Sequence, residues 1–300
     1  MWFKNLTCFR FMEPVTWHAE AFTDTLSQTA FVPCTSLALS SAGWVPPLGA
    51  SATDLVHAVN GCWLFCLQKE EKILPATVIR EAVAQRVAEI EAQEFRTVRR
   101  GEKENIREDI VQELLPRAFT HYRRHYAYID VSGRWLIIDS AARKSVEELT
   151  DLLRRGLGSL PIVPLRVAKG PSLVMTNWLA SNQLASDFSL TDECELRDEG
   201  EEGGVVRCKG QDLSGEEIRV HLQAGKQVTR LGLSWNGYIS FLLTEELGLR
   251  RLRFLNVVTE QLPDSEAAEQ VFDAQFVLMT GVVREFLPRL LTVFGGEAER

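Results

Sequence analysis

Nowhere in the 300 residues does an apolar run approach the roughly 18–20 residues of a membrane-spanning helix. The longest uncharged stretch, Thr25 to Thr53, is full of Ser, Thr, Pro and Gly. The start meets Lys4, Arg10 and Glu13 too early to hold the apolar centre of a signal peptide, so the expected location is the cytoplasm. A Walker A loop, a nucleophile elbow and a His-Glu-x-x-His helix are all missing, which removes three common routes to catalysis. Gly156 and Gly158 in "GLGSLP" follow a helical pattern instead of a strand and lack a third glycine, so they are no dinucleotide fingerprint. The six cysteines are scattered, and no second Cys or His pair at zinc-ligand spacing accompanies Cys62 and Cys66. Reduced, buried thiols are expected, with no metal and no cofactor.

What is present describes an ordinary globular chain, with 45% apolar and 25% charged residues. The 41 acids outnumber the 33 Lys and Arg, giving a net charge of -8. That excludes a wholly basic DNA-coating protein but not a local basic site, because fields depend on where charges lie.

The predicted class is α+β, with mixed sheets and a projecting long helical hairpin. Asn60-Gly61 opens the strand-like run "CWLFCLQ", and Asn236-Gly237 opens a similar one; together they suggest a duplicated α+β unit. Between them, apolar residues recur at helical spacing from Ala76 to Leu115, with a turn expected near Gly101 and a first helix of about 24 residues. "YAYIDVSGRWLIIDS" reads as a hairpin, "KSVEELTDLLRRGLG" as a helix stopped by glycine, and "DECELRDEGEEGG" as an acidic loop or helix end. Ser214 and Glu217 form a capping-box pattern, and the last helical stretch should break near Gly281 and Pro288.

From Leu114 to Tyr126, "LLPRAFTHYRRHY", no acid occurs among three arginines, two histidines, two tyrosines and a phenylalanine. One explanation is an amphipathic helix foot with its charged tips in water. The other is an anion-binding surface, joined by Arg96, Arg99, Arg100, Lys103 and Arg107 at the end of the hairpin. The expected contacts are Arg96, Arg99, Arg100, Lys103, Arg107, Arg117, Arg123 and Arg124, on phosphate rather than bases, since no base-reading motif accompanies them. Phe119 follows Pro116 and sits between Arg117 and His121, poor neighbours for a core position. Asp130 and Asp139, at the ends of adjacent strands, are the one candidate divalent-metal pair.

Eight segments in order, "WFKN", "GWVPPLG", "KEEKILP", "LLPRAF", "LGSLP", "QDLSGEEI", "FDAQFVLMTG" and "GGEAER", resemble the bacterial RdgC family of recombination-associated proteins. The resemblance implies a single family domain over 1–300, with parts at 1–75, 76–120 (the finger) and 121–300. It implies a ring-shaped homodimer whose hole admits duplex DNA and which also binds single strands, without sequence preference. A nucleoid-associated, non-enzymatic protein that restrains RecA-promoted recombination follows from it. It further implies Phe119 as the dimer gate, with Lys209 and Gln211 where the ring closes. Gly210 stands where a second basic residue is common, which weakens that contact electrostatically. The alternatives are a metal-dependent nuclease on Asp130 and Asp139, and a recombinase-binding protein with no DNA site of its own.

Overall fold

A computed structural model describes residues 1–49, 52–198, 203–263 and 267–298. The chain begins β1 (Thr7–Phe11), α1 (Ala19–Ser27), β2 (Ser40–Val45), β3 (Val56–Val59) and β4 (Cys62–Ile73). Two helices follow, α2 (Ala76–Glu94) and α3 (Arg100–Leu114), then β5 (Phe119–Asp130), β6 (Trp135–Ile138), α4 (Arg143–Leu157) and β7 (Ile162–Pro164). These strands form one sheet, ordered β2-β4-β5-β6-β1-β7, with β3 lying end to end with β2 along the same edge of β4. The remainder supplies α5 (Pro171–Ser181), β8 (Phe188–Arg197), β9 (Val205–Lys209), α6 (Glu216–Gln223), β10 (Gln227–Trp235), β11 (Ile239–Thr244) and β12 (Leu249–Phe254). Its sheet runs β12-β11-β10-β8-β9, and α7 (Asn256–Thr259) and α8 (Ala268–Val293) complete the chain.

Every strand ladder among the described residues is antiparallel, so the expectation of mixed sheets is corrected. The two Asn-Gly turns explain part of this. Asn60 and Gly61 have φ of 50° and 72°, Asn236 and Gly237 48° and 68°, the double left-handed geometry that folds a strand straight back on its neighbour. One hairpin lies in each sheet.

β4 reads as a continuous apolar run because both its faces are covered. Trp63, Phe65 and Leu67 pack with Phe22, Leu149 and Leu153, while Cys62 and Leu64 face a larger core shared with the second sheet. The second sheet is covered on one side. Leu231, Leu233 and Trp235 of β10 enter the shared core, whereas Arg230 is exposed on the other face. α8 fills the space between the sheets, with Phe276 against Tyr128 and Phe286 against Trp235 and Phe241. Burying each such ring stabilises by about 1.5–3 kcal/mol.

Three local expectations change. α8 is one helix of 26 residues and does not break at Gly281 or Pro288. Pro288 forfeits one helical hydrogen bond, but Phe286, Leu287, Leu290 and Leu291 are buried around it, and their burial outweighs the loss. Asp192–Arg197 is strand, because Cys194 and Leu196 alternate into the core; residues 199–202 of that acidic run lie outside the described residues. The Ser214 capping box does not form: its hydroxyl donates to Asp212 Oδ1 at 2.7 Å, and Gly215 occupies the cap without a side-chain bond.

Candidate nucleic-acid interface

The acid-free run is a strand, not the foot of a helix. Pro116 lies in a 3-10 turn at Leu115–Arg117, and β5 starts at Phe119. β5 pairs with β4 from Ile73↔Phe119 to Cys62↔Asp130, and only its second half reaches the core. Residues Phe119–Arg124 are exposed and form the outer strand of a ribbon with β4, which β2 flanks on its other side from Gln68 to Glu71. Strand alternation sends Phe119, His121 and Arg123 to one face and Tyr122 and Arg124 to the other. Arg124 donates to Gln68 at 3.0 Å, and the Tyr122 hydroxyl donates to Glu70 at 3.0 Å. Lys69, opposite Arg123, is already offset by Glu148 at 2.6 Å and Glu71 at 2.9 Å. Burial lowers the pKa of His125, so this histidine adds little charge to the run at neutral pH. At the ribbon's end Phe119 is 83% exposed and its cross-strand neighbour Ile73 49% exposed, an apolar pair left in water.

α2 and α3 form the connection between β4 and β5 and pack on each other through Val87, Val98, Ile106 and Ile110. α2 has 19 residues, not about 24, and the turn precedes Gly101, which lies inside α3. Phe95 takes the left-handed conformation that ends α2, and Val98 turns inward while its N–H donates to Glu91 at 2.9 Å. Apolar insertion at Val98 therefore sets the turn, where glycine content alone pointed three residues on.

The basic residues here are unequal. Arg96 is held by Glu94 at 2.5 Å and Glu102 at 2.6 Å, so its charge is spent locally. Arg100 meets only Glu104, at 4.0 Å. Arg100, Lys103 and Arg107 share one face of α3 by spacing and line a groove of about 780 Å³ against α2. Arg99 and Arg117 are exposed.

The largest cationic array was not legible as a motif. On the uncovered face of the second sheet, register brings together Arg197 of β8, Arg207 and Lys209 of β9, Arg230 of β10, and Arg251 and Arg253 of β12. Two carboxylates lie among these six cations, with Asp192 at an adjacent bulge. Glu193 takes Arg251 through both oxygens at 2.5 Å. Glu195, 5% exposed, is surrounded by Arg207 at 2.7 Å, Arg230 at 3.6 Å and Arg197 at 3.7 Å. Burial pushes the Glu195 carboxyl up, but the bond from Arg207 and the charge of Arg230 outweigh it and hold it ionised. Gly232 keeps the middle of the face open: a Cβ there would lie 2.2 Å from Thr191 Oγ1. Beside it Lys209, Arg251 and Arg253 line a depression of about 460 Å³. Lys209 ends β9, Gly210 turns with φ of 68°, and Gln211 follows exposed.

The candidate residues thus fall into three groups: Arg96 to Arg107 on the helix pair, Arg117 to Arg124 on the ribbon, and Lys209 with Gln211 beside the sheet face. Asp130 and Asp139 do not form a pair. They lie at opposite ends of the β5–β6 ladder, since Asp130 opposes Trp135 while the Asp139 amide bonds Tyr126. Asp130 accepts from Arg284 twice at 2.9 Å and from Ser132 and Gly133, and Asp139 accepts the Lys4 and Asn5 amides. No cluster of metal-ligating side chains occurs among the described residues.

Residues 1–297 match the family model described as "Putative exonuclease, RdgC". The recombination-associated protein RdgC of Halorhodospira halophila is 43% identical over 299 residues, covering 99% of both chains. That of Tolumonas auensis is 41% identical over 299 residues, again 99% of both, and that of Salmonella paratyphi B 39% over 302 residues, 100% of both.

Proposed function

The chain belongs to the RdgC family, and from that premise we propose that it binds duplex DNA without sequence preference, closes around it as a ring-shaped homodimer, and restrains RecA-promoted recombination. The observation that carries the reading is the uncovered antiparallel face with its six cations. A polar, arginine-rich sheet face in a protein of net charge -8 concentrates cations on one surface, where six outnumber the carboxylates of Asp192, Glu193 and Glu195. Its cations stand on the strands of a sheet face, so phosphate contact is the mode it suits. Single strands present the same phosphates and bind by the same route.

The ribbon and helix pair extend this reading. α2 and α3 act as a projecting finger whose Arg99, Arg100, Lys103 and Arg107 add cations to the DNA path. Phe119, backed by Ile73, is the aromatic anchor of a ring-closing contact, and Lys209 and Gln211 lie at that closure. An exposed apolar pair of this kind is costly in water and suited to a pocket on a partner subunit. The site of action is the cytoplasm, on the nucleoid.

Fluorescence anisotropy on several unrelated duplexes across a salt series tests the reading. Equal affinities with a steep salt dependence are expected. A preference above roughly a hundredfold for one duplex would contradict it, since discrimination of that size belongs to base readers. Absence of duplex binding would favour a protein that engages only the recombinase. The family description favours a second reading, a nuclease. Asp130 and Asp139 are committed to structural bonds, so no DNA cleavage depending on them is expected with magnesium or manganese; cleavage abolished by Asp139→Asn would reinstate it.

A further inference from the structure

Cys194 and Cys208 are direct cross-strand partners in the β8–β9 ladder, with both side chains on the core side of the sheet. The other cysteines have no such neighbour: Cys8 opposes Ile137, Cys62 opposes Asp130 and Val59, Cys66 opposes Tyr126 and Val45, and Cys34 lies outside the strands. Facing residues of an antiparallel pair have Cα atoms roughly 4.5–5.5 Å apart, inside the roughly 4.4–6.8 Å that a disulfide spans. We propose that Cys194 and Cys208 are an oxidative modification site, a thiol pair that a low-molecular-weight disulfide converts into a cross-link clamping strand β9 onto β8.

The two thiols differ in access, which orders the chemistry. Cys208 is half-buried on β9, whose outer edge pairs with no strand among the described residues. Cys194 is 1% exposed, and burial pushes its thiol up to about 12. The Cys208 thiolate therefore attacks first, forming a mixed disulfide with one half of the reagent and releasing the other half as a thiol. Cys194 then gives up its proton, and its sulfur displaces the second half from Cys208. Two protein S–H groups are lost, one S–S bond forms, and the reagent is reduced to two thiols.

The position gives the cross-link a consequence. β9 is an edge strand held on one side only, and Lys209 and Gln211 follow Cys208 at once. Resting on the ring-closure reading above, a clamped β9 fixes those residues in place, so oxidised protein should leave closed circular DNA more slowly.

The test uses the full chain treated with glutathione disulfide at neutral pH. Non-reducing peptide mapping should find Cys194 joined to Cys208, hydrogen exchange at the amides of 205–209 should slow by about threefold or more, and dithiothreitol should reverse both. Cys194→Ser should stop at a glutathione adduct on Cys208, and Cys208→Ser should leave Cys194 unmodified. Cross-links to other cysteines, or a Cys208 adduct that never resolves, would overturn the site. A cross-link without slower exchange would overturn the clamp. Oxidised wild type should also persist longer on closed circles than oxidised Cys194→Ser, and equal persistence would overturn the functional consequence. Failure of the reduced protein to bind duplex at all would strike the DNA reading and leave the thiol pair standing.

Discussion

Removing two cations from the open sheet face, Lys209→Ala together with Arg253→Ala, probes whether that face meets phosphate. Both side chains are exposed and form no ion pair among the described residues, whereas Arg251 and Arg207 are partly neutralised by Glu193 and Glu195. Each phosphate contact releases condensed counterions and contributes about 0.9 to the slope of log affinity against log salt. Losing two contacts should flatten the slope by about 1.8 and weaken binding roughly 60-fold at 0.1 M salt. Arg96→Ala is the internal comparison. Its guanidinium is engaged by Glu94 and Glu102, so its removal should change the slope by less than about 0.3. Affinity on one duplex between 50 and 200 mM salt, the range over which such slopes are commonly read, supplies both numbers, and melting curves should be unchanged because exposed charges contribute little stability. A double variant whose salt line runs parallel to wild type would refute the assignment of this face to DNA.

Arg284→Ala removes the half-exposed partner of a buried carboxylate, leaving Asp130, 4% exposed, with Ser132 and Gly133 as its donors among the described residues. A loss of about 2 kcal/mol is expected, between the values for buried and exposed pairs, read as a fall in Tm of roughly 4–6 °C by calorimetry; a loss below about 0.5 kcal/mol would show the brace to be weak. The bidentate bond from Arg289 and the Trp235 indole hold Asp187 down to about 2. A depressed carboxyl stabilises above its unfolded value near 4 and loses that contribution as pH falls toward 2, so the stability gap between wild type and Asp187→Asn, about 1–2 kcal/mol at pH 6, should close over that window. Urea unfolding at both pH values checks it; a gap that widens in acid would reverse the sign. Phe119→Ala should leave a folded dimer with thermal stability within about 0.5 kcal/mol of wild type, because the ring is exposed. Its retention on circular DNA should fall, and unaltered retention would remove Phe119 from the gate.

Local pattern made much of the fold legible. Asn60-Gly61 and Asn236-Gly237 marked hairpins because only a few residues tolerate two successive positive φ values, and Gly158 marked the end of α4 for the same reason. Tertiary packing decided what pattern missed. Val98 drew the helix turn forward of Gly101, and the apolar ring around Pro288 carried α8 through it. The basic run at Leu114–Tyr126 was visible, but its division between two ribbon faces needed the β4 register. The sheet-face cluster was hidden because its members, Arg197 to Arg253, are joined by cross-strand pairing and not by spacing. Lys209 and Gln211 came from family resemblance alone. The sheet then supplied Lys209 with neighbours, Arg251 and Arg253, that no motif named.

Encirclement of DNA is decided by the topology of the DNA it holds. Protein bound to a closed circular duplex and to the same duplex cut once should be challenged with high salt and excess competitor, and the two dissociation rates compared. A closed ring cannot slide off a circle, so release from the circle should be several-fold slower than from the linear form, and cutting the circle during the experiment should speed it to the linear rate. Equal rates on both forms would contradict a ring that closes around DNA.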